Sequence, residues 1–251
     1  MKSYLLSSAL LVMLASAANA ADIADAPTSD WTGIYAGVFG GYAWGSADLS
    51  STTNAEDFKI PSEDIPSSFG AEGDLEGWLG GAQVGYDYGF GSGFVLGAVA
   101  DWAITGLETD SACLEDFGRE DCNDSDPFHT EGNASMDWLA TFRARAGFAT
   151  GDALIYATGG LAVANVEVNI DNLGFDGDNY ADSDTLTGWT AGAGVEYRLT
   201  ENVSVGAEYL YVDLGTVETN YELQTPGPVV DIHSETDFTM NIVKASLNYR
   251  F

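Results

Sequence analysis

Asn241-Ile242-Val243-Lys244-Ala245-Ser246-Leu247-Asn248-Tyr249-Arg250-Phe251 separates by parity into two chemically different faces. Val243, Ala245, Leu247, Tyr249 and Phe251 form one. Lys244, Ser246, Asn248 and Arg250 form the other, which is the period-2 pattern of a β-strand with unlike sides. A water-soluble sheet buries its apolar face in a core, whereas a membrane barrel turns that face to lipid and keeps the polar one in its lumen. The rest of the chain has to decide between the two.

Working outward from this strand, seven more can be traced: about 31–44, 75–88, 94–104, 136–148, 154–168, 185–198 and 203–214, with the last at 237–251. The connections at 89–93, 149–153 and 199–202 are tight, and those at roughly 46–74, 105–134, 169–184 and 215–236 are long. Strict alternation of short and long connections places all the long ones on one side of a hairpin meander. The expected fold is therefore all-β: an eight-stranded antiparallel, up-and-down transmembrane β-barrel with short periplasmic turns and four long extracellular loops.

Composition agrees with this reading. In 251 residues there are 30 glycines, 45% hydrophobic and 12% aromatic residues, which suits a turn-rich all-β chain and disfavours disorder. Lys2, an apolar run from Leu5 to Leu14 and the small residues Ala18-Asn19-Ala20 predict a secretory signal over 1–20. A short periplasmic segment over 21–30 and the barrel over 31–251 would follow. No later stretch offers the ~20 apolar residues of a spanning helix, so a membrane crossing would have to use strands, whose backbone groups are satisfied only in a closed barrel.

Aromatic placement is more specific. Trp78, Trp102, Trp138 and Trp189 lie at the long-loop ends of their strands, and Trp44 ends the first. Tyr86, Phe94, Phe148, Tyr197 and Tyr249 lie towards the short-turn ends. A separation of eight to ten residues, at ~3.3 Å each and a tilt near ~40°, spans about 20–25 Å, the height of a lipid-facing band between two aromatic girdles. A secreted soluble barrel of the lipocalin kind has no reason to hold its tryptophans at one level.

The opposite parity collects charge: Asp87, Asp101, Asp137, Glu196 and Glu208 against Arg143, Arg145, Arg198, Lys244 and Arg250, with Gln83 beside them. The chain has only eight Lys and Arg, so five on the inferred lumen faces is informative. Charges in a narrow, water-poor barrel are costly unless paired. An interior ion-pair network filling the lumen is expected, with a selectivity-lining charge ring as the alternative.

Asp30-Trp31-Thr32-Gly33-Ile34-Tyr35-Ala36-Gly37, the stretch Trp138–Gly147, Tyr156-Ala157-Thr158-Gly159-Gly160 and the ending Asn248-Tyr249-Arg250-Phe251 resemble the small porin-like, opacity-type surface-antigen barrels of Gram-negative outer membranes, a group with haemin-binding relatives. The resemblance spans the barrel and says little about its loops. It implies an eight-stranded barrel akin to the OmpA membrane domain, integral to the outer membrane. It also implies that the terminal aromatic, Phe251, is an assembly signal read by the outer-membrane assembly machinery.

The formal charge is −31, and the four long connections hold 25 acids against two bases, Lys59 and Arg119. Such a tip repels nucleic acid and attracts basic partners or divalent cations, including those that bridge to lipopolysaccharide phosphates. No dedicated metal site is expected. The stretch 176–184 departs from the EF-hand pattern, because Tyr180 stands at a ligand position and no Glu closes the loop. Cys113 and Cys122 are expected to form a disulfide in an oxidising compartment.

His233-Ser234-Glu235 holds the residue types of a hydrolase triad in direct succession, and neighbours in an extended segment point to opposite sides, so no catalytic residues are expected. No cofactor is expected either, since the acidic tip disfavours haem propionates. The expected role is structural and surface-facing, beside outer-membrane lipid and lipopolysaccharide. A small-solute or cation-selective porin is the first alternative, and a loop-mediated receptor, adhesin or haem binder the second.

Overall fold

The computed structural model describes residues 30–54, 68–109, 112–113, 131–173, 178–223 and 230–251. Its strands are β1 (Gly33–Asn54), β2 (Ser68–Gly89), β3 (Phe94–Thr109), β4 (Ala112–Cys113), β5 (Glu131–Thr150), β6 (Ala153–Leu173), β7 (Asp178–Arg198), β8 (Val203–Leu223) and β9 (Val230–Arg250). All pairings are antiparallel, in the order β3-β2-β1-β9-β8-β7-β6-β5-β4, and a β3–β5 ladder closes the ring. β4 is a two-residue bridge on β5, so eight long strands make the barrel.

The register sets its dimensions. Following paired residues round the wall from Tyr35 through Gly85, Val99, Arg143, Gly160, Thr190, Val212 and Met240 returns to β1 at Gly45, ten residues beyond the start. Eight strands with that stagger, at ~3.3 Å rise and ~4.8 Å spacing, tilt by about 40° on a radius of about 8 Å. Side chains alone can fill such a ring.

Turn chemistry matches the tight connections. Gly93 adopts φ +86° and donates its N–H to the Phe90 carbonyl at 2.9 Å, and Gly151, at φ +59°, opens the two-residue turn between β5 and β6. Both are left-handed positions that favour glycine. At the third turn the Thr200 hydroxyl accepts the Val203 N–H at 3.1 Å.

Outward residues between the girdles carry no charge. On β2 they are Trp78, Gly80, Ala82, Val84, Tyr86 and Tyr88, and on β3 Phe94, Leu96, Ala98, Ala100, Trp102 and Ile104. Large apolar side chains here stand well exposed, Val84 at 52% and Phe142 at 63%. An exposed apolar belt of this kind is lipid-facing surface.

Three findings depart from the sequence expectation. First, the strands run far past the girdles, so β1 reaches Asn54 and β8 reaches Leu223 where long loops were expected from 46 and 215. Antiparallel hairpins keep bonding beyond the lipid boundary, where the hydropathy signal that marks a strand has lapsed. Second, Met136 pairs with Val166 and Trp138 with Asn165, leaving Asp137 as the extra residue of a β-bulge. Third, the ladder between β7 and β8 stops at Trp189–Asp213 and that between β2 and β3 at Leu75–Thr109. Past those points the described strands form two separate sheets, β8-β9-β1-β2 and β7-β6-β5-β4.

The expected signal segment, the expected periplasmic segment apart from Asp30, and Cys122, hence its pairing with Cys113, lie outside the described residues, as do Lys59, Arg119 and His129.

The lipid-facing assignment makes an exposed position sensitive. Val84→Arg, near mid-height on the outward face, should cost about 2–4 kcal/mol of unfolding free energy in bilayers, where a water-facing site would show about 0.5 kcal/mol or less. Urea titration of the barrel in phospholipid vesicles reads the difference.

Candidate functional site: two neutral charge quartets in a filled lumen

Arg143 and Arg145 are two residues apart on β5, so both point inward and each centres its own layer. Around Arg143 are Asp101 of β3 (Nη2–Oδ2 2.7 Å) and Glu208 of β8 (Nη1–Oε1 2.5 Å). Lys244 of β9 completes the layer, reaching Asp101 Oδ2 at 2.6 Å and Glu208 Oε2 at 3.0 Å. Arg143 also donates Nε to the Thr141 hydroxyl at 3.0 Å and Nη1 to that of Thr158 at 2.9 Å. Two bases meet two acids, and the layer is neutral.

The second layer lies nearer the short turns and repeats the stoichiometry. Arg145 meets Glu196 at 2.5 Å and Asp87 at 3.4 Å, and Arg250 meets Asp87 at 2.9 Å and Glu196 at 4.0 Å. The Ser204 hydroxyl donates to Glu196 Oε1 at 2.5 Å, and the Arg145 guanidinium lies 3.8 Å from the centre of the Tyr156 ring. All eight charged side chains are buried. At such sites an unpaired charge is strongly disfavoured, so neutrality of each layer is the physical requirement the sequence meets.

Inward glycines decide who reaches whom. Asp87, Gly97 and Arg145 occupy one row across β2, β3 and β5. A Cβ at Gly97 would fall 2.2 Å from Asp87 Oδ1, so only glycine lets the carboxylate cross to Arg145. Gly37 stands likewise between Gln83 and Asn248, which bond across it at 2.7 Å, and its Cβ would sit 2.0 Å from Asn248 Oδ1.

Below the second layer Trp31 forms a floor. It is 1% exposed, packs with Val95, Ala149, Leu154 and Tyr156, and lies under the Arg198 and Arg250 guanidinium groups at 4.5 and 5.3 Å. At this rim the Thr32 hydroxyl and N–H hold the exposed Asp30 carboxyl below the usual carboxylate range. Above the first layer the lumen is apolar, which sequence reasoning missed. Phe39, Leu79, Leu139, Leu210 and Ile242 pack over the Arg143 layer, and Leu75, Leu107, Met136, Val166, Leu186, Leu214 and Phe238 continue the plug. A cavity of about 10 Å³ between Phe39, Leu79, Asp101, Leu210 and Lys244 has room for one water.

Two expected network members lie elsewhere. Asp137, displaced by the bulge, is exposed. Arg198 is half-buried at the rim, where its Nη2 donates to the Asp30 carbonyl at 2.7 Å. Among the girdle residues, Trp44, Trp78, Trp102, Trp189, Tyr86, Phe94, Phe148, Tyr197 and Tyr249 are outward and exposed. Trp138, beside the bulge, is half-buried. Phe251 is exposed, with its ring 5.0 Å from that of Tyr249 and its N–H bonded to the Ile34 carbonyl at 3.0 Å.

The family model described as outer membrane protein beta-barrel domain matches residues 7–251. The 31 kDa outer-membrane immunogenic protein of Brucella melitensis is 33% identical, with 100% of each chain covered. The 25 kDa outer-membrane immunogenic protein of Brucella abortus is 26% identical over 89% of this chain and 88% of its own. Among solved structures, the outer membrane protein OprG of Pseudomonas aeruginosa is similar at a TM-score of 0.43 and 12% identity, covering 88% of this chain and 97% of that one.

Layer neutrality has a measurable signature. Arg143→Met leaves Lys244 facing two buried carboxylates and should cost about 3–5 kcal/mol. Adding Glu208→Gln restores a neutral Lys244–Asp101 pair and should recover about half or more of that loss. Urea unfolding of the single and double variants in vesicles reads the coupling, and additive losses would sink the quartet interpretation.

Proposed function

The chain belongs to the outer membrane protein beta-barrel family, and from that premise we propose that it serves the envelope as a closed, non-conducting barrel presenting a strongly acidic outer surface. It is an integral protein of the Gram-negative outer membrane, and its relatives carry the name of immunogenic outer-membrane proteins. The observation that carries the non-conducting reading is the stacked seal of the lumen: Trp31, two neutral charge layers and the apolar plug from Phe39 to Phe238. An ion would have to break open both hydrogen-bonded quartets and then cross a dry apolar layer.

The acidic surface follows from charge accounting. Four of the eight bases and four of the 39 acids sit in the neutral quartets, which therefore leave the chain's formal −31 undiminished. This supports divalent cations bridging the outer rim to lipopolysaccharide phosphates. Recognition of Phe251 by the assembly machinery is supported by its exposure at the end of β9. A catalytic role has little support from His233, Ser234 and Glu235, which only follow one another directly along β9.

Single-channel recording in planar bilayers tests the reading, after heat-modifiable gel migration has established folding. The folded protein should be silent. Steady cation-preferring openings would make it a porin and overturn the sealed-lumen account.

A further inference from the structure

We propose that the split in the wall between β7 and β8 is a strand-acceptor site for an extended, Lys/Arg-rich segment of a partner protein. This goes beyond the envelope role and rests on separate observations. Past Trp189–Asp213 the two strands continue for ten or more residues each, Asp178–Gly188 on β7 and Leu214–Leu223 on β8, yet among the described residues each pairs only with its outer neighbour, β6 or β9. Two facing strand margins therefore present backbone donors and acceptors with no ladder partner across the split, which is the geometry that adds a strand.

The local chemistry keeps the margins from zipping onto each other. The ladder of β8 on β9 shifts register between Asp213 and Thr216, and Gly215 there takes φ +76°. The Gly215 N–H donates to Asp213 Oδ1 at 2.9 Å, and on the facing strand the Thr185 N–H donates to Asp184 Oδ1 at 2.7 Å. Backbone donors at the foot of the split are thus taken by carboxylates of their own strands. Beyond the foot the two segments carry Asp178, Asp182 and Asp184 on one side and Glu218 and Glu222 on the other, with no Lys or Arg on either. The negative charge of the two segments is matched by no base on either. It favours an incoming strand that alternates basic with small polar or β-branched residues.

The site begins above the girdle tryptophan Trp189, where water rather than lipid surrounds the wall. An occupant of about six residues spans about 20 Å and would run alongside either margin.

The test uses the refolded full chain in zwitterionic nanodiscs and a fluorescent eight-residue peptide alternating lysine with threonine and valine. Saturable binding is expected, with new cross-strand nuclear Overhauser effects between the peptide and residues 178–188 or 214–223. The same peptide N-methylated at alternate backbone nitrogens keeps its charge but loses its ladder donors, and it should bind at least roughly tenfold more weakly, as should a glutamate counterpart. The variant Asp178→Asn/Asp182→Asn/Glu218→Gln/Glu222→Gln, checked for folding by heat-modifiable migration, should lose about tenfold for the lysine peptide. Equal binding of the N-methylated peptide would reduce the effect to charge attraction and overturn the proposal. So would absent binding of the lysine peptide, contacts mapping elsewhere, or a dimer of the chain occupying the split.

Discussion

Closure of the hydrogen-bond ladder is the constraint on which everything else in this molecule depends. In lipid an unpaired strand edge leaves N–H and C=O groups with nothing to bond, so β1 must meet β9 and β3 must meet β5. Once the ring closes with eight strands and a stagger of ten, the radius follows, and with it the volume that inward side chains can occupy. A ring of about 8 Å radius cannot hold a large side chain at every inward position. Gly37, Gly85 and Gly97 are inward, and their missing Cβ atoms are the space that Asn248, Tyr35 and Asp87 use.

The same narrowness explains why charge is arranged in neutral layers. Four acids and four bases in so small a lumen would repel or remain unsatisfied if their signs were unevenly distributed, and desolvation would exceed any gain. Alternation of sign around each centre, Arg143 between Asp101 and Glu208 and Arg145 between Asp87 and Glu196, lets every charge see opposite neighbours. Desolvation then argues for an apolar remainder, because a third polar layer would need further partners. Phe39, Leu210 and Ile242 fill that space without asking for any.

Much of this was legible in the sequence, for reasons that also mark where legibility ended. Parity alone placed Asp87, Asp101, Arg143, Arg145, Glu196, Glu208, Lys244 and Arg250 inward, because strand side chains alternate without exception while the ladder is regular. Asp137 was misplaced because a bulge inserts one residue and inverts parity beyond it, and a bulge leaves no mark in a hydropathy pattern. Which acid meets which base depends on register and on the glycine gaps, and neither is written in a single strand. The apolar plug did carry a signal: in Leu161–Ala164 and Leu210–Val212 apolar residues run on without alternating, which is what a strand buried on one face and lipid-facing on the other produces.

Beyond the lipid the closing constraint relaxes, and the architecture changes at that height. Water can satisfy an exposed edge, so nothing forces β7 to stay paired with β8 above Trp189 or β2 with β3 above Leu75. The ladders β1–β2, β1–β9, β5–β6, β6–β7 and β8–β9 continue past this height, whereas that between β2 and β3 stops at Leu75–Thr109 and that between β7 and β8 at Trp189–Asp213. The barrel is thus rigid where the membrane demands a ring and divided where it does not, and the division falls in the region of the wall that stands clear of lipid.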